Sequence, residues 1–175
     1  MGNKSVTRRA RLDECFPPVV GNHPHTLILG SLPGQKSLQM QQYYAHPQNV
    51  FWKLMEQLFG AASPLPYTRR VKILTDHNIA LWDVLATAER PGSLDSSIVH
   101  ASARANDFAS FLRDHPKIRR VFFNGRKAED LYRRFVLPDL ETHAEVRYEC
   151  LPSTSPAHAG MNFARKLEHW ARIRS

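Results

Sequence analysis

The sequence predicts an α/β fold, a three-layer α/β/α sandwich around a mostly parallel, four-stranded central sheet. Three observations carry this. Four short apolar runs are spread along the 175 residues. The first three are almost continuously apolar, as strands buried on both faces of a parallel sheet must be. Segments of helical period lie between them, the alternation that builds βαβ layers. The length suits one domain, residues 1–175, with residues 1–22 as an N-terminal extension.

The first strand is Thr26–Gly30 (TLILG). Pro47 can then open a helix in which Trp52, Met55, Leu58 and Phe59 share a face and which Gly60 stops. Residues 67–77 form a weaker helical segment before the second strand, Ile79–Val84 (IALWDV). Asn106 or Asp107 can cap a helix that buries Phe108, Phe111 and Leu112, and Pro116 follows its end. The third strand is Val121–Gly125 (VFFNG), and Ala128, Leu131, Tyr132 and Phe135 line one face of the helix after it. The fourth run, Val146–Leu151 (VRYECL), alternates more and suits an edge position. The closing helix carries Phe163, Leu167, Trp170 and Ala171 as its apolar stripe, with Arg165, Lys166, Arg172 and Arg174 largely off it.

Composition narrows the function. Twenty-four Lys and Arg against 16 Asp and Glu leave a formal charge of +8, which points to an anionic partner, nucleic acid first. Cys15 and Cys150 are far apart and form no CxxC. They read as two reduced thiols of a cytoplasmic protein rather than a disulfide framework or a zinc or iron–sulfur site. No apolar stretch approaches the ~20 residues of a membrane helix, and the N-terminus has no apolar signal-peptide core. HExxH, GxSxG, Walker and GxGxxG patterns are missing, so metalloprotease, serine-hydrolase and nucleotide-loop chemistries have no support.

In an open parallel sheet, ligands bind beyond the carboxyl ends of the strands, and here each strand runs into an unusual segment. GSLPG follows the first and presents Ser31 and Leu32 between glycines that let backbone approach a ligand. The second ends in Asp83, a carboxylate that needs either a salt-bridge partner or a function; ERPGSLD lies beyond it. Asn124 ends the third, as a helix cap or as a ligand to substrate. LPSTSPAHAG follows the fourth, with Ser153, Thr154 and Ser155 as phosphate donors or as ordinary turn residues. His46 and His158 are the histidines of these loops.

Taken in order, GSLPG…SL…QYYAHPQNVFW, ALWDVL…R.GSLDSSI, FFNG.KA and LPSTSPA resemble the uracil-DNA glycosylase superfamily, and within it the hypoxanthine-DNA (deoxyinosine) glycosylase branch. The resemblance runs from about Thr26 to the C-terminal helix. It implies a DNA repair enzyme that flips a deaminated base out of the duplex and hydrolyses its N-glycosidic bond, working as a monomer with no metal and no cofactor. It also implies Asn49 as the catalytic residue that orients water. Phe51 would stack on the base, with Tyr43 or Tyr44 walling the pocket. Asp83 would accept from N1–H, and Asn124 or a backbone N–H would donate to O6. Ser153, Thr154 and Ser155 would hold phosphate, and Pro156, Ala157 and His158 would fill the gap left in the duplex. Basic residues including Arg165 and Lys166 would add salt-dependent affinity. The chain departs from the mismatch-specific enzymes at Leu32, where their GINPG loop carries a water-holding asparagine. It also has Leu151 where the uracil enzymes carry a histidine. A uracil or mismatch glycosylase, and a non-catalytic nucleic-acid-binding module, are the alternatives.

Overall fold

A computed structural model of the chain describes residues 12–92, 94–140 and 145–174. Its strands are β1 (Leu12–Glu14), β2 (Thr26–Gly30), β3 (Ile79–Asp83), β4 (Leu85–Glu89), β5 (Arg104–Ala105), β6 (Arg120–Asn124) and β7 (Arg147–Leu151). Its α-helices are α1 (Gln35–Met40), α2 (Phe51–Phe59), α3 (Tyr67–Asp76), α4 (Phe108–Asp114), α5 (Arg126–Phe135) and α6 (Phe163–Trp170).

The central sheet has the order β3-β2-β6-β7 and every neighbouring pair is parallel. All five residues of β2 and of β3 are buried. Successive side chains point to opposite faces, so both faces of these strands are covered, as a three-layer fold requires. The alternating fourth run takes the edge as β7. The chain leaves β2 for β3 on one side and returns to β6 on the other, which puts the topological switch point beside β2. Gly30 is level with Asp83, and Asn124 with Leu151, so the four exits open along one end of the sheet.

Several boundaries differ from expectation for identifiable reasons. The segment from Pro47 turns helical only at Phe51. Asn49 Oδ1 accepts from the Phe51 N–H at 3.0 Å, and the Val50 N–H donates to the Thr154 carbonyl at 3.1 Å, so side chain and neighbouring loop hold the amides that an earlier helix would need. Asp107, not Asn106, caps α4 by accepting from the Ser110 N–H. The inward stripe of the last helix runs through Lys166, Trp170 and Ile173, whereas Phe163 and Ala171 are exposed. Lys166 buries its stem and donates from Nζ to the His158 carbonyl at 2.9 Å, and Trp170 Nε1 donates to the Pro152 carbonyl at 2.9 Å. The helix is thus clamped to the loop after β7 and turned by that anchoring.

A second, antiparallel sheet, β1-β4-β5, had no counterpart in the apolar pattern. Its strands are short and mixed in polarity. It incorporates residues 12–14, and Val19 forms an antiparallel bridge to Leu81, so the stretch 12–22 is built into the fold. Residues 1–11 of the expected extension lie outside the described residues.

Candidate active site

A cavity of about 570 Å³ opens at the carboxyl ends of the central strands, within the ~300–1,000 Å³ of small-molecule sites. Gly30, Ser31 and Leu32 after β2, Asp83 from β3, Asn124 from β6, and Ser153, Ser155, Pro156, Ala157 and His158 after β7 all line it. Tyr43, Tyr44, His46 and Asn49 from the loop before α2 line it too. The sequence-selected segments therefore converge.

Asp83 is a buried carboxylate of the lining, 3% exposed. A Cβ on Gly30 would overlap its Oδ1 and come within 3.2 Å of the Tyr44 hydroxyl; this position needs glycine for close approach. The salt-bridge reading of Asp83 is not realised among the described residues. The nearby cation, Arg90, pairs instead with Asp13 at 2.8 Å. Burial, reinforced by the negative charge of Asp95, raises the Asp83 carboxyl from 3.8 to about 7, while Arg90 and Cys15 oppose the rise. Cys15 Sγ points to Asp83 Oδ2 at 3.9 Å. Burial and the Asp83 charge push that thiol up to about 12, so it keeps its proton and can donate.

The aromatic arrangement corrects one expectation. Phe51 has no exposed surface. Tyr44 lies over it with ring centroids 4.0 Å apart and 25° between planes, and Trp52 and Trp170 meet Phe51 edge-on. Phe51 is thus the backing layer, and Tyr44 is the ring that reaches the cavity. Tyr44 has φ 57°, a left-handed conformation costly for a bulky residue. Its buried hydroxyl makes no hydrogen bond of ordinary geometry among the described residues. Tyr43 is anchored instead: its hydroxyl donates to the Phe16 and Pro17 carbonyls. Trp52 is a core residue whose Nε1 donates to the Tyr43 carbonyl at 2.9 Å.

The amide pairs show how two loops are locked together. Asn49 Oδ1 holds the Phe51 N–H; a carbonyl oxygen has two lone pairs, so a second remains for water. Asn124 Nδ2 donates to Thr154 Oγ1 at 2.8 Å, and its Oδ1 accepts from the Thr154 N–H at 2.9 Å. Thr154 is 1% exposed, so it is a structural partner of Asn124 and not a phosphate ligand; Ser153 and Ser155 remain on the cavity. Gly125, at φ 95°, allows the close passage of Ser153, whose Cβ would lie 2.8 Å from a Cβ there. Residues 156–160 are exposed at the rim. Lys166 faces inward, which removes it from the expected DNA-binding surface.

The GSLPG loop rests on a network that the sequence did not single out. Arg90, 4% exposed, donates from Nη2 to Asp13 and to the Pro33 carbonyl, and from Nη1 to the Leu32 carbonyl at 3.3 Å. Gln35 Nε2 donates to both Asp13 oxygens at 3.1 Å. Ser31 Oγ donates to Asp95 Oδ2 at 2.5 Å. ERPGSLD is an unusual segment in sequence, but nothing in its spacing tells which of its charges is buried. Leu32, 5% exposed, contributes an apolar wall.

The family model described as the uracil DNA glycosylase superfamily matches residues 17–174. A hypoxanthine DNA glycosylase of Methanosarcina acetivorans is 36% identical over 159 residues, covering 90% of this chain and 95% of the relative. One of Methanosarcina barkeri is 40% identical over 115 residues, 65% of this chain and 71% of the relative. The fold is also similar to the solution NMR structure of a uracil DNA glycosylase candidate from Methanosarcina acetivorans. That comparison has a TM-score of 0.75 and 35% identity, covering 94% of this chain and 98% of the other.

Proposed function

The chain belongs to the uracil DNA glycosylase superfamily, and we propose that it is a DNA N-glycosylase that flips hypoxanthine from deoxyinosine and hydrolyses its bond to the sugar, leaving an abasic site. The observation that carries the base assignment is the buried carboxylate at the cavity floor. Hypoxanthine offers N1–H beside a carbonyl at O6. Ionised Asp83 accepts from N1–H, whereas adenine presents a lone pair at N1 and would leave two acceptors facing each other. A buried mismatch of that kind discriminates strongly. Uracil also presents an N–H beside a carbonyl, so it is the natural competitor, and the names of the similar proteins favour hypoxanthine.

The remaining roles follow from position. Tyr44, backed by Phe51, is the platform for the flipped base. The Nδ2 proton of Asn124 not used by Thr154 acts on the Tyr44 hydroxyl and would turn to O6 as the base enters. Asn49 orients water toward the sugar carbon, and Ser153 and Ser155 hold the flanking phosphates. Pro156, Ala157 and His158 sit on the exposed loop that would enter the gap in the duplex. Charge grows positive on the sugar and negative on the leaving base, so fixed dipoles and charges supply most of the acceleration. Action as a monomer, in the cytoplasm, belongs to the same proposal.

A panel of duplexes carrying hypoxanthine, uracil, xanthine or mismatched thymine tests this reading. Hypoxanthine is expected to be excised fastest. In the same assay, Asn49→Ala is expected to bind the deoxyinosine duplex and lose about 10²–10³-fold in excision rate. A ranking led by uracil would reassign the substrate, and full activity of the variant would move water positioning elsewhere.

A further inference from the structure

Two carboxylates line the cavity, and they stand at different depths. Asp83 is 3% exposed, while the side chain of Asp95 keeps 41% of its surface. An extruded nucleotide enters base first, so its base edge reaches the floor and its sugar stays toward the mouth. Asp95, the more exposed of the two, lies nearer solvent, on the side from which the sugar would approach.

The Asp95 carboxylate is also held in place. Ser31 Oγ donates to Oδ2 at 2.5 Å, and Arg90 Nη1 lies 3.5 Å from Oδ1. Arg90 is itself fixed by Asp13 and the Leu32 carbonyl. Lys127 is a further cation acting on Asp95, and Asp83 is coupled to it as an anion. A carboxylate at the mouth of a DNA-binding cavity repels phosphate and weakens binding; its use must lie in a later step. Leu32 offers neither charge nor a water ligand, and the amide of Asn49 is neutral, so negative charge beside the sugar is what the other groups do not supply.

We propose that Asp95 is a catalytic carboxylate that stabilises the cationic sugar and takes the proton of the attacking water, with Ser31 and Arg90 as its positioning residues. The inference rests on the glycosylase reading above. The C1′–N9 bond breaks with its electron pair passing to the base, and the water oxygen bonds to C1′. The water proton passes to Asp95 and from there to solvent, while the departing base anion takes a proton from solvent to become neutral hypoxanthine. No reactant besides water is consumed.

The test is single-turnover excision from a deoxyinosine duplex, paired with binding to a duplex whose deoxyinosine carries an uncleavable 2′-fluoro sugar. Asp95→Asn is expected to excise about 10²–10³-fold more slowly while binding the fluorinated duplex as tightly as wild type or more tightly. Asp95→Glu restores the charge and is expected to recover part of the rate. A wild-type rate in Asp95→Asn overturns the proposal. So does a parallel loss of rate and binding with a lowered melting temperature in both variants, since that is the behaviour of a merely structural residue. If the wild-type protein itself releases no hypoxanthine, the substrate reading fails, a result distinguishable from failure of the Asp95 role.

Discussion

Asp83→Asn separates what the buried carboxylate costs the fold from what it does for recognition. The carboxyl titrates at about 7 in the folded protein against an ordinary 3.8. Between those values the folded protein retains a proton that the unfolded chain has released. Stability therefore falls as pH rises from 4 to 7, and the deficit stays constant above 7. A rise from 3.8 to about 7 corresponds to roughly 4 kcal/mol, an upper bound for what removing the charge can return at pH 8. The asparagine is nearly isosteric, and its main structural loss is the weak 3.9 Å contact with Cys15. Thermal melts followed by circular dichroism should show the variant more stable at pH 8, by about 2–4 °C for each kcal/mol recovered. The gap should shrink to about half by pH 5.5. Excision should move the opposite way: below pH 7 the wild-type kcat/KM for hypoxanthine should fall about tenfold per pH unit, while the variant is slow at every pH and ranks the bases differently. A variant no more stable at pH 8 than wild type, or one with an unchanged ranking of bases, would rule out a charged, base-reading Asp83.

Other substitutions probe the supports of the site. Arg90→Ala leaves the Asp13 carboxylate buried without its guanidinium, with the Gln35 amide still on it, and should cost about 3–5 kcal/mol of stability, read as a lower denaturant midpoint. Phe51→Ala empties a fully buried site and should cost about 3–5 kcal/mol, whereas Tyr44→Phe removes a hydroxyl that makes no hydrogen bond of ordinary geometry among the described residues and should change the denaturant midpoint little.

The strands and the loops that bear the site were legible because continuous apolar runs and the residues ending them are local signals. The run Thr26–Gly30 coincides with β2, and Gly30, Asp83 and Asn124 share one end of the sheet because parallel register carries every exit to the same side. What escaped depends on contacts distant in sequence. Asp13 and Arg90 are 77 residues apart, and no period or motif links them. Tyr44 and Phe51 are aromatic residues seven positions apart, one in the loop and one opening α2; which of them faces the cavity is decided by the left-handed turn at Tyr44 and by the indole rings behind Phe51. Lys166 looks like surface charge in sequence and is drawn inward by a single carbonyl, that of His158.

The most direct measurement is chromatographic detection of free base after incubating the purified protein with a deoxyinosine-containing duplex in the presence of a chelator. Release of hypoxanthine is expected in step with formation of alkali-labile abasic sites, with no release of adenine from the matched duplex. An intact duplex after many protein equivalents and long incubation, or release that requires added metal, would contradict it.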